Sequence, residues 1–275
     1  MLTFTEKDHK YNSVDIFDDT KWVSASRLAG FFKEEFKAEE IALKSSQKKS
    51  SKWYGISPKE ILDIWQAENI RSTTLGTWYH EQEEKKLIGK ETDFRYDQEL
   101  PIFRPIWQDG VKVAPDQKLV DGIYPEHLAY LHSVGACGQF DEIIVAGGYV
   151  HNHDHKTNKD LKKPAFVNWD GITKKMLPPL LHLDDCKIVE YALQLSIGVY
   201  MILRHNPQLK PGNLILNHCT FEIESEDKFG YPILKLDEKN EPILNAVEQI
   251  KVPYLKREVE LMFEYLKRRP KITTQ

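Results

Sequence analysis

The sequence predicts a mixed α/β chain, with a central mixed β-sheet flanked by helices and led by a helical N-terminal region. Three observations predict it. Residues 1–90 carry apolar side chains mostly at helical spacing, residues 119–157 switch to the alternation of strands around an Ala146-Gly147-Gly148 turn, and helix and strand patterns then take turns to the end. At 275 residues, with 41% apolar and 11% aromatic content, the chain can fill a core. No linker or repeat divides it, so we expect one domain over 1–275, helical over 1–90 and sheet-containing over 91–275.

After a short extended start, Ser24 or Ser26 caps a segment carrying Leu28, Phe31, Phe32 and Phe36 at helical spacing. Residues 38–52 follow as a helix ending in a Lys/Ser stretch. Ser57-Pro58-Lys59-Glu60 has the form of a helix start, with a serine cap, proline at the first position and glutamate at the third. Ile61, Ile64, Trp65 and Glu68 continue it, and a further helix runs from Thr73 to Leu87, with Gly89 placed to end it. Strands are expected over 119–131, 137–146 and 149–157, then a polar loop over 157–183. Asp184 or Asp185 caps a helix from Lys187 to Arg204 that stops before Pro207. Residues 213–224 and 231–236 read as strands, and Pro253 opens an amphipathic helix over 253–269 with Leu255, Val259, Met262, Phe263 and Leu266 on one side.

Composition excludes several classes. Lys and Arg number 38 against 42 for Asp and Glu, a net charge of -4, which rules out a uniformly basic nucleic-acid binder but leaves room for a local basic path. The longest apolar runs fall far short of the roughly 20 residues a bilayer needs, and the N-terminus has neither a secretory nor a transit pattern. Cys137, Cys186 and Cys219 are scattered, so neither a disulfide framework nor a zinc ribbon is expected, and three thiolates are too few for the usual iron–sulfur cluster. The expected compartment is the cytoplasm, with no membrane partner.

The chemistry is concentrated in Gly138-Gln139-Phe140-Asp141, a hairpin, and His153-Asp154-His155-Lys156-Thr157. Side chains alternate along a strand, so Asp154 and Lys156 share a face and the Gly-Gly turn can bring Asp141 alongside Asp154. Two carboxylates favour a hard divalent cation, Mg²⁺ above all, and a lysine beside them can orient water or neutralise charge on a phosphate. Asp-x-Lys alone also fits an exposed ion pair. Gly76 and His80 lie one turn apart on the preceding helix, where His80 can ligate the same metal or pair with Glu84. Tyr191, Gln194 and Gly198 form one stripe of a buried helix; Gln194 can brace the carboxylates, contact a nucleotide, or satisfy a neighbouring strand. His151, His153 and His155 alternate onto the opposite face, where they can bind a transition metal or bond to neighbours.

In this order, G-x-x-x-H-x-x-E on a helix, G-x-x-D, D-x-K-T and a Gln-bearing helix resemble the RecB-like branch of the PD-(D/E)XK nucleases, which includes phage exonucleases and the mitochondrial genome maintenance exonuclease. The resemblance covers roughly residues 72–205. It implies a PD-(D/E)XK nuclease-like core and a metal-dependent DNA exonuclease using Mg²⁺, with Mn²⁺ as a substitute. His80, Asp141, Asp154 and the backbone carbonyl of His155 would be the metal ligands, Lys156 the catalytic lysine, Gln194 the motif glutamine, and Glu126, Glu84 and Tyr191 further members of the site. The chain departs from the family at Gly198, where a tyrosine is usual, in the His151-Asn152-His153 strand, which is usually apolar, and in lacking the cysteines that some relatives use for an iron–sulfur cluster. No cluster is therefore expected.

Basic and aromatic residues suggest the substrate. Lys48, Lys49 and Lys52 with Trp53, and Lys159, Lys162 and Lys163 after the Asp-x-Lys strand, suit single-stranded or frayed DNA ends, because cations track phosphates and aromatic rings stack bases. Lys267, Arg268, Arg269 and Lys271 read more simply as a solvated face. The expected setting is a bacterial or phage-infected cell, with a recombination or replication protein as partner. Two readings compete: a structure- or site-specific endonuclease of the same superfamily, and a nucleic-acid-binding module with a decayed site.

Overall fold

The computed structural model describes residues 2–15, 18–168 and 170–268, so Arg269 and Lys271 lie outside the described residues. The N-terminal part is not wholly helical. Its start forms β1 (Leu2–Thr5), β2 (Lys10–Ser13) and β3 (Val23–Ser24). Ser24 then caps α1 (Ala25–Gly30) by accepting from the Arg27 N–H; Phe32 is buried just beyond the helix, whereas Phe36 is exposed. After α2 (Ala38–Gln47), the two helices expected between Ser57 and Gly89 are a single one, α3 (Pro58–Ile88), opened by a complete Ser57–Glu60 capping box. Nothing in Asn69–Thr74 breaks a helix. The residues there are mostly polar but include neither glycine nor proline, and the Arg71–Glu68 pair spans the junction.

Two small elements follow: a hairpin of β4 (Thr92–Arg95) and β5 (Gln98–Pro101), then β6 (Ile106–Gln108) and β7 (Val111–Val113), which complete a four-stranded sheet with β1 and β2. The central sheet is built from β8 (Gly122–Leu131), β9 (Ala136–Ala146), β10 (Tyr149–Lys156), then, after α4 (Lys187–His205), β11 (Lys210–Phe221), the hairpin β12 (Ile223–Glu226) and β13 (Pro232–Leu234), and finally β14 (Leu244–Val252) ahead of α5 (Lys256–Arg268). The order β14-β11-β10-β9-β3, with β8 also on β9, makes a six-stranded sheet in which β10–β11 and β3–β9 are parallel and the other pairs antiparallel. The expected Asp184/Asp185 cap is absent: Cys186 occupies the cap position without a side-chain bond, and Asp185 pairs with Lys174 and Lys33 instead.

On one face α4 packs with α1 and α5 to form the main core, which includes Leu28, Phe140, Ile143, Ile197 and Met262. Gly198 lets α4 approach this closely, since a Cβ there would sit 2.5 Å from the Phe140 ring and 2.9 Å from Asn152 Nδ2. A tyrosine, usual at this position in the family the sequence resembles, has no room here. The other face is covered by the β4–β5 hairpin and the end of α3. Among the described residues no helix is long and apolar enough to cross a membrane.

Candidate active site

Two irregularities of the sheet create the site. The first is a fork. β9 and β10 pair from Ala146–Tyr149 as far as Glu142–His153, and beyond that Asp154 and Lys156 pair only with Leu216 and His218 of β11. Asp141 and Asp154 therefore stand at the mouth where the strands part, and the His155 N–H donates to Asp141 Oδ2 at 2.8 Å. The second is a kink. The pairs Pro125–Glu142 and His127–Phe140 put Glu126 opposite Asp141, and Glu126 has a left-handed φ of +51°. Strict alternation would turn Tyr124 and Ala129 to opposite faces, yet both lie in the main core, as do Phe140 and Ile143 on the partner strand. Both strands thus change phase at Glu126 and Asp141, and such backbone strain is concentrated at functional positions.

α3 supplies the third side. His80 Nδ1 lies 3.0 Å from Asp141 Oδ2, so its partner is Asp141 rather than Glu84. One ligand atom each from His80, Glu126 and Asp141 fall within 4.8 Å of one another. An imidazole nitrogen and two carboxylates at this spacing fit a divalent cation. Burial lowers the His80 pKa, but the charge and hydrogen bond of Asp141 outweigh it and raise it to about 9. Burial, reinforced by the Asp141 charge, lifts Glu126 to about 8. Burial also opposes ionisation of Asp141, but His80 and Lys156 hold its carboxyl well below the usual range. Glu126 further accepts from Gln139 and faces Lys112 Nζ at 3.6 Å. Lys112 is 1% exposed and also pairs with Glu6. Nothing in Val111-Lys112-Val113 marks that lysine as buried, and sequence reasoning missed it.

Asp154 stands beside this trio, held by Lys156 Nζ at 2.6 Å. Burial raises its pKa and the negative charge of Asp141 adds to the shift, while Lys156 opposes it. Burial disfavours the Lys156 cation, but Asp154 and Asp141 more than compensate, so the ammonium stays charged. That ammonium lies 4.7 Å from the centroid of the Tyr191 ring, whose hydroxyl donates to Asn158. The side chain of Gln194, one turn further along α4, makes no hydrogen bond among the described residues. Glu84 lines the same cleft, of about 340 Å³, as His80, Glu126 and Asp141. The His155 amide is held by Asp141. His151 and His153 are engaged elsewhere: Tyr96 stacks on His151 at 3.6 Å and its hydroxyl meets His153 Nε2 at 2.7 Å, with Glu142 on the other ring nitrogen at 3.4 Å.

The basic candidates divide. Lys48 and Lys49 are exposed on the surface after α2. Lys52 and Lys159 come together over Tyr231, although they lie far apart in sequence. Lys162 pairs with Glu248, and Lys163 with Asp160 at 2.8 Å. Trp53, expected to stack a base, is instead a core residue: it is only 6% exposed, stacks on Phe229 and packs with Ala42 and Ile61, so its faces are closed to a base.

No family model, curated protein or solved structure matches this chain.

Proposed function

We propose that this chain is a metal-dependent DNA exonuclease with a PD-(D/E)XK-type core, hydrolysing phosphodiester bonds at single-stranded or frayed ends in DNA recombination or replication. One observation carries the reading: the β9–β10 fork sets the His80, Glu126 and Asp141 ligand atoms within 4.8 Å of one another, beside the Asp154–Lys156 pair. Mg²⁺ or Mn²⁺ would be held by His80, Asp141 and Glu126, with Asp154 next to them, and when bound supplies Lewis acidity and a water of lowered pKa. Lys156, kept protonated by its carboxylate neighbours, acts as a fixed positive charge rather than a base. Asp154 anchors that ammonium, and Tyr191 supports it from α4.

The test is digestion of end-labelled linear single- and double-stranded DNA and of circular single strands, with Mg²⁺, with Mn²⁺ and in EDTA. The expected result is metal-dependent release of nucleotides from linear DNA while circles stay intact. Cleavage of circles would make the enzyme an endonuclease instead. Binding without turnover in either metal, or parental activity in Lys156→Ala, would sink the reading.

A further inference from the structure

A second cleft, of about 490 Å³, lies beside the first half of α3 and is lined by Trp65, Arg71, Thr157, Lys159, Lys187 and Tyr231 among others. Three cations from three separate segments converge on the Tyr231 ring: Lys52 Nζ at 4.8 Å, Lys159 Nζ at 4.6 Å and the Arg71 guanidinium at 5.9 Å from its centroid. Among the described residues their ion-pair partner is a single carboxylate, Glu68, which accepts from Arg71 and lies 3.8 Å from Lys159. Lys52 donates to the Phe229 carbonyl at 2.6 Å. Of the other acids nearby, Asp227 is taken up by the backbone N–H groups of Phe229 and Tyr231, and Asp160, which lines the cleft, pairs with Lys163 at 2.8 Å. Cations gathered around one ring repel each other. The ring's negative face offsets part of that repulsion, and a polyanion offsets the rest.

The cleft adjoins the Asp154–Lys156 pair. Thr157 and Asn158, which line it, are the two residues after Lys156, and Tyr191 bridges them by touching the Lys156 ammonium with its ring and Asn158 with its hydroxyl. Trp65 adds an aromatic wall. Cations that track a backbone, aromatic walls and a volume on the scale of nucleotides rather than a duplex match the chemistry of single-strand binding.

We propose that the cleft between the first half of α3 and the β12–β13 hairpin is the binding lane for a single strand of nucleic acid, with Tyr231 as the hub that holds Lys52, Arg71 and Lys159 in place for its phosphates. The proposal rests on the nuclease reading only in taking this strand to be the one that is cut.

The test is fluorescence anisotropy with a labelled oligo(dT) and with a blunt duplex of equal length, in EDTA across a salt series, with cleavage assayed separately. The parental chain is expected to bind oligo(dT) more tightly than the duplex. Lys52→Gln, Arg71→Gln and Lys159→Gln should each flatten the dependence of log affinity on log salt by about 0.7, the single-strand value per phosphate. Tyr231→Leu should weaken binding about tenfold, and Tyr231→Phe, which keeps the ring, should not. All three cations are exposed, so their variants report even if the Tyr231 variants fail to fold. Unchanged salt slopes in all three, or tighter duplex binding, would overturn the lane while leaving metal-dependent cleavage intact. Binding that depends on Tyr231 and the cations in a chain that never cleaves would support the lane and refute the nuclease.

Discussion

The two halves of α3 border clefts of opposite character. Beyond Gly76 the helix presents His80, Glu83 and Glu84 to a cleft shared with Glu126, Asp141 and Glu142. Before Gly76 it presents Arg71 and Trp65 to a cleft shared with Lys159, Lys187 and Tyr231. The first crowds carboxylates until burial and mutual repulsion push Glu126 to about 8, so it gains most from a cation. The second crowds ammonium and guanidinium groups around a ring, so it gains most from phosphates. The proposed cutting of a phosphodiester would need both, and β10 links them, with Asp154 and Lys156 between Asp141 on one side and Thr157 on the other.

Asp154→Asn removes charge from the carboxylate side alone and carries the largest expected effect. Turnover should fall by about 10³-fold, on the scale of losing one electrostatic group in an active site. Oligo(dT) binding in EDTA should stay within twofold of the parent. A joint loss of both would mean that the clefts are not separable.

How much of this was legible in the sequence follows from how local each signal is. The Ser57–Glu60 box, the Gly-Gly hairpin and the Asp154-x-Lys156 alternation are local, and each was readable. The β4–β5 turn was not, because both its residues, Tyr96 and Asp97, take positive φ without being glycine or asparagine. β14 was missed because its mostly exposed Leu244–Val252 stretch becomes a strand only by pairing with β11 at the sheet edge. The approach of Glu126 to His80 depends on a phase change shared by two strands, and the gathering of Lys52, Arg71 and Lys159 on Tyr231 spans most of the chain. Neither leaves a pattern at any fixed spacing.

Acid should weaken the sheet at its buried histidines. His151 is buried under Tyr96 and accepts from the Asn213 N–H at 2.9 Å through Nδ1, an arrangement open only to the neutral ring. Burial, with the charges of His153 and Lys251, lowers its pKa to about 4 from 6.5. Above pH 6.5 neither state is protonated and the stability is fully present. Between 6.5 and 4 the unfolded chain binds a proton that the folded chain refuses, so stability falls by roughly 3 kcal/mol at 1.36 kcal/mol per unit. Urea unfolding at pH 7, 5.5 and 4.5 should show this slope, and His151→Phe should reduce it, leaving the part that belongs to His127, whose pKa burial also lowers to about 4. An unchanged slope in that variant would assign the loss to other groups.

Which carboxylate would share the proposed cation with Asp141 is a finer question on the carboxylate side. Glu126→Gln keeps shape and removes charge. It should raise the Mg²⁺ or Mn²⁺ concentration needed for half-maximal cleavage ten- to a hundredfold, with the rate at saturating metal nearly preserved. An unchanged metal requirement would move the ligand role from Glu126 to Asp154.

Two glycines make the smallest and most contrasting pair, because each lies where a helix meets the sheet. At Gly198 a Cβ would overlap Phe140, next to Asp141, and the buried Asn152. Gly198→Ala should cost about 1–3 kcal/mol as overpacking and lower cleavage, since moving Phe140 moves the fork. At Gly76 a Cβ would lie 3.5 Å from Thr157 Oγ1, an ordinary contact, and α3 has helical backbone there. Gly76→Ala should therefore stabilise by up to about 1 kcal/mol, the ordinary helical gain of alanine over glycine, and leave oligo(dT) binding unchanged. Thermal unfolding of both variants reads the two signs directly. A destabilised Gly76→Ala would mean that α3 must come closer to β10 than this structure has it, and that the passage from one cleft to the other is tighter than the Thr157 contact implies.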